Sequence, residues 1–80
     1  MENPYRNPLD GETGNTQELL AELNIDELQL YIAHYRWRQA NETFSDNPKT
    51  PYQSASYFRY RTNQWIFDAQ KLIEGKQTDT

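Results

Sequence analysis

Between Ala55 and Ile73 the chain repeats one pattern: Ala55, Phe58, Thr62, Trp65, Ala69 and Leu72 recur at alternating spacings of three and four, widened by Ile66 and Ile73. At roughly 100° per residue, that spacing closes into a single stripe along a helix and is incoherent on a strand. A helix with one such stripe must lay it against a partner, and 80 residues leave room for one domain in which to find it.

The preceding segment, "NIDELQLYIAHYRWRQANETF", supplies the partner. Leu30, Ala33, Trp37, Ala40 and Phe44 fall on one helical stripe; Leu28, Ile32 and Tyr35 fall nearly opposite, joined by Ile25. Two apolar stripes predict a sandwiched helix, with one side on the third helix and the other on a short first helix. Asp26 is the expected N-cap, with Gln29 three residues on and Ile25 and Leu30 placed as a hydrophobic staple. Ahead of it, "NTQELLAEL" sets Asn15 three residues before Glu18, a capping-box spacing, and gives Leu19, Leu20 and Leu23 to one side.

The linker "SDNPKTP" carries Pro48 and Pro51, which forbid helix continuation. A connection this short between long helices reads as an antiparallel hairpin. Thr50 then caps the third helix with Pro51 at its first position and Gln53 closing the box, and Gly75 is placed to end it in a left-handed cap. The expected architecture is all-α: an antiparallel hairpin of two long helices (about 26–45 and 51–74) with a short N-terminal helix (about 16–23) across them. Trp37 and Trp65 are expected to be shielded between the antiparallel rods. Residues 1–14, with Pro4, Pro8, Gly11 and Gly14, read as an irregular arm in which "PLDG" is a turn and Tyr5 and Leu9 are the pins. Residues 15–75 form the single helical domain, and 76–80 a flexible tail.

Composition narrows the function. There is no cysteine, so disulfides, thiolate zinc sites and thiol catalysis are excluded. The absence of an apolar run predicts neither a secretory signal nor a membrane span, and the expected location is cytoplasmic. The net charge of −4 is unevenly spread: residues 1–30 balance to −6, residues 31–65 to +3, and the rest to −1. Such asymmetry marks either a site for a charged partner or an acidic arm folded beside a basic middle.

Two stretches interleave rings and arginines, "HYRWR" at 34–38 and "YFRYR" at 57–61. Arginines two residues apart diverge by roughly 200° on a helix, so they make one basic face only on a strand, and the surrounding periodicity is helical. His34, the single histidine, lacks the partners that a triad or a zinc site needs and reads as a boundary residue. Glu18, Glu22, Asp26 and Glu27 sit at helix N-termini, where acids oppose the helix dipole; this structural role accounts for them without catalysis or metal. No glycine-rich phosphate loop is present, and the "NET" tripeptide at Asn41–Thr43 lies in a predicted helix.

The expectation is therefore a small non-enzymatic protein, without cofactor or metal, that binds another protein or a second copy of itself in a regulatory role. The candidate docking residues are Tyr57, Arg59, Tyr60, Arg61 and Phe67, of the types that dominate interface hot spots. The rival reading is a single-stranded nucleic-acid binder using Arg36, Trp37, Arg38, Arg59, Tyr60 and Arg61, with rings to stack on bases and arginines for phosphates. Such binders usually carry a positive overall balance, which this chain does not.

Overall fold

The computed structural model describes residues 2–12, 14–41 and 55–78. It contains three helices: α1 (Thr16–Glu22), α2 (Ile25–Asn41) and α3 (Ala55–Thr78). The described residues form no strand. α2 and α3 run antiparallel, because contacts that step backward along α2 step forward along α3: Gln39 meets Thr62 and Asn63, and Tyr35 meets Trp65.

Asn15 caps α1, accepting from the amides of Gln17 and Glu18 at 2.9 and 3.4 Å. The expected return bond from the Glu18 carboxylate is not formed, so this is half a capping box. The full box lies at the next helix, two residues earlier than expected. Asn24 Oδ1 accepts from the Glu27 amide (2.8 Å) while Glu27 Oε1 accepts from the Asn24 amide (3.1 Å). Asp26 is thus an exposed first-turn acid rather than the cap. The hydrophobic staple moves with the cap, to Leu23 and Leu28, both buried. This pair of contacts marks the break between α1 and α2, at Leu23 and Asn24.

The core gathers Leu20 and Leu23, then Leu28, Tyr31, Ile32 and Tyr35 of α2, with Ile66 and Ala69 of α3; Leu9, Trp65, Leu72 and Ile73 pack at its edge. The two-sided sandwich is corrected here to one shared core. α2 buries its Leu28–Ile32–Tyr35 stripe, completed by Tyr31, while Leu30, Ala33 and Trp37 stay half-exposed and Ala40 is exposed. Trp65 is half-buried, with its ring edge-on to Tyr35 at 5.4 Å, and Trp37 lines an open groove, so neither indole belongs to the buried set. Thr62 is the buried polar residue; its hydroxyl donates to the Phe58 carbonyl (2.7 Å) and accepts from Gln39 Nε2 (2.6 Å). Both of its hydrogen-bonding roles are therefore met inside the core.

α3 does not stop at Gly75 but runs to Thr78. Gly75 has no positive φ, and Lys76 beyond it reaches across to the last turn of α1, donating to the Ala21 carbonyl at 3.4 Å. The expected cap Thr50, with Pro51, Gln53 and Phe44, lies outside the described residues.

The arm is held by a tandem device. In "NPY" and "NPL" each asparagine side chain accepts from the amide two residues on: Tyr5 to Asn3 (2.9 Å) and Leu9 to Asn7 (3.0 Å). Each amide group then reaches α2. Asn3 Nδ2 donates to the His34 carbonyl (3.2 Å), and Asn7 Nδ2 to the Tyr35 hydroxyl (3.3 Å). Pro8 and Gly11 (φ 84°) shape two successive turns, closed by Asp10 to Asn7 and Glu12 to Leu9 backbone bonds.

Candidate protein-docking surface

The face of α3 turned furthest from its buried residues carries Tyr60, Gln64, Phe67 and Lys71, at successive spacings of four, three and four. Those spacings place them in one row, and the two rings stand about 10 Å apart along the axis. Tyr60 is 58% and Phe67 55% exposed, the two most exposed large hydrophobic side chains among the described residues. The row is ordered by its own contacts. Gln64 Nε2 donates to the Tyr60 hydroxyl at 3.1 Å, and the Lys71 ammonium lies 5.4 Å from the centre of the Phe67 ring. Beside the rings lies a shallow depression of about 500 Å³, bordered also by Gln17, Asn63 and Asp68. Two rings over a polar-edged hollow can take up an apolar side chain and hydrogen-bond the backbone that carries it.

The other candidates lie elsewhere. Tyr57 is half-buried. Arg59 and Arg61 are exposed but diverge to either side of Tyr60, and Arg61 lies over the Trp65 ring at 5.5 Å. Arg38 is held between two of the chain's own rings, 4.8 Å from Phe58 and 5.7 Å from Tyr35. Arg36 and Trp37 border a second groove along α2. The residues of the nucleic-acid reading are thus spread over several faces.

His34 anchors the arm. Its Nδ1 lies 2.8 Å from the Tyr5 carbonyl oxygen, which only accepts, so Nδ1 carries the proton and donates. Asn3 Nδ2, 3.0 Å from that same nitrogen, donates to the His34 carbonyl. The ring stands edge-on to Tyr35, at 4.9 Å. Among the described residues there is no group of three or more His, Asp or Glu side chains placed to hold a metal ion, and no helix is long and apolar enough to cross a membrane.

Sequence reasoning overlooked Asn3, Asn7 and Gln64. The first two are legible as the repeated Asn-Pro pair, and Gln64 as the residue one helical turn from both rings. No family model, no curated protein and no solved structure matches the chain.

Proposed function

We propose that this is a non-enzymatic, cytoplasmic interaction protein whose α3 outer face docks on another protein in a regulatory role. The observation that carries the reading is the Tyr60–Phe67 pair: two large rings, each more than half exposed, held in one row by neighbours of their own helix. Leaving such area in water is unfavourable by about 25 cal/mol per Å², and a partner recovers it. Because the rings are already positioned, little side-chain entropy remains to be lost on binding. The nucleic-acid reading has less support: the net charge is −4, and Arg38 and Arg61 already lie over rings of this chain.

The test is a photocrosslinker at position 64, between the rings, irradiated in lysate of the source cells. A discrete protein adduct is expected, lost when Tyr60→Ala and Phe67→Ala are combined, while helix content by circular dichroism is unchanged. Each truncation is expected to weaken the purified complex by roughly tenfold, about 1–2 kcal/mol. Adducts indifferent to the double substitution would refute the reading.

A further inference from the structure

The second groove of the molecule runs along α2 between α3 and the arm. It encloses about 620 Å³ and is bordered by Gln29, Ala33, Arg36, Trp37 and Ala40 of α2, with Ile73 of α3 and Tyr5 of the arm among its walls. Its floor is the half-exposed stripe of α2, whose small side chains Ala33 and Ala40 let another backbone approach closely. Among the described residues that border it, Arg36 is the charged one. One turn before Gln29 the same stripe begins with an acid, Asp26. Both charged groups are exposed, and neither has an ion-pair or hydrogen-bond partner among the described residues.

From these features we propose that the groove is covered by a second copy of this chain, with the two α2 helices antiparallel about a twofold axis level with Tyr31. An antiparallel pair in that register sets Arg36 of each copy against Asp26 of the other, and Ala33 against Gln29. Two reciprocal ion pairs then flank an apolar centre, an isologous contact that closes on itself. A parallel pair would set Arg36 against Arg36 and Asp26 against Asp26. The long axis favours the same choice. In a body 49 × 24 × 23 Å, Glu22, Asp26, Glu27 and Glu74 outnumber Lys71 and Lys76 toward one end, and Arg36, Arg38, Arg59 and Arg61 lie toward the other. Antiparallel stacking brings opposite ends together.

The groove is distinct from the Tyr60–Phe67 row, so the dimer leaves both docking faces outward and the two readings stand or fall separately.

The test is sedimentation equilibrium of the full chain up to about 1 mM, which still populates weak complexes. A mass of twice 9.5 kDa is expected, with Asp26→Arg or Arg36→Asp alone weakening association at least tenfold. The combined exchange D26R/R36D, which restores opposite charges across the axis, is expected to recover it. Ala33→Glu, at the centre, should yield a monomer with unchanged helix content, and Tyr60→Ala with Phe67→Ala should leave the dimer intact. A monomer at every concentration, single exchanges without effect, a combined exchange that does not recover, or a dimer lost with Tyr60 and Phe67 would each overturn the proposal.

Discussion

Tyr31 is the largest fully buried side chain of the described residues and the ionisable group that burial alters most. Desolvation of its phenol, reinforced by Tyr35 and by the Asp68 carboxylate, holds the hydroxyl protonated far into the alkaline range. In an unfolded chain the same group ionises near pH 10. Above about pH 10 the unfolded state therefore releases a proton that the folded state retains, and stability falls by about 1.4 kcal/mol per pH unit. Tyr31→Phe removes that dependence. Alkaline titration followed by circular dichroism should show its unfolding midpoint moved upward, with little change near pH 7. Tyr31 was missed from sequence because the stripe on its side of α2 was drawn through Ile25, Leu28, Ile32 and Tyr35 alone. Yet its position, three residues after Leu28 and four before Tyr35, put it on the same face. The opposite error concerned Trp37: an indole suggests burial, but among the described residues no further helix covers the side of α2 that it occupies. Thr62 was read correctly as part of a buried stripe, although only the structure reveals Gln39 as the group that satisfies its hydroxyl.

Among the elements, helix type and order were readable because stripe spacing is set by helical geometry, whereas the ends depended on a choice between near-equivalent residues. Asn24 and Asp26 both cap well, and each has a Glu or Gln three residues later. Asn24 prevails because its cap makes Leu23 and Leu28 the staple and buries both. Asn24→Ala should therefore cost about 1 kcal/mol, and Asp26→Ala, which loses only an exposed dipole contact, less than half of that. Gly75 is the reverse case. It lies inside α3, with nothing within 4 Å of where a Cβ would stand, so Gly75→Ala should stabilise by about 0.5–1 kcal/mol. Urea denaturation of the three variants checks all three signs. A glycine before a polar run looks like a helix terminator, and what carries α3 past it is a tertiary contact, Lys76 on the Ala21 carbonyl.

For the molecule as a whole, the antiparallel hairpin was legible from Pro48 and Pro51 between two periodic segments. The position of the arm was not, because it rests on single side chains meeting over about thirty residues of chain. The candidate docking face was partly legible: Tyr60 and Phe67 lie off the core stripe in sequence, but the divergence of Arg59 and Arg61 around them emerges only once the helix is built. The arm's two anchors fall on consecutive residues of α2, His34 and Tyr35. A strap pinned twice at one level cannot swing about either pin, so it should detach all-or-none. Hydrogen exchange at the Tyr5 and Leu9 amides should then proceed at one common rate, and Asn3→Ala or Asn7→Ala should accelerate both. The strap is a mechanical latch, and tension on the N-terminal arm would be its natural release.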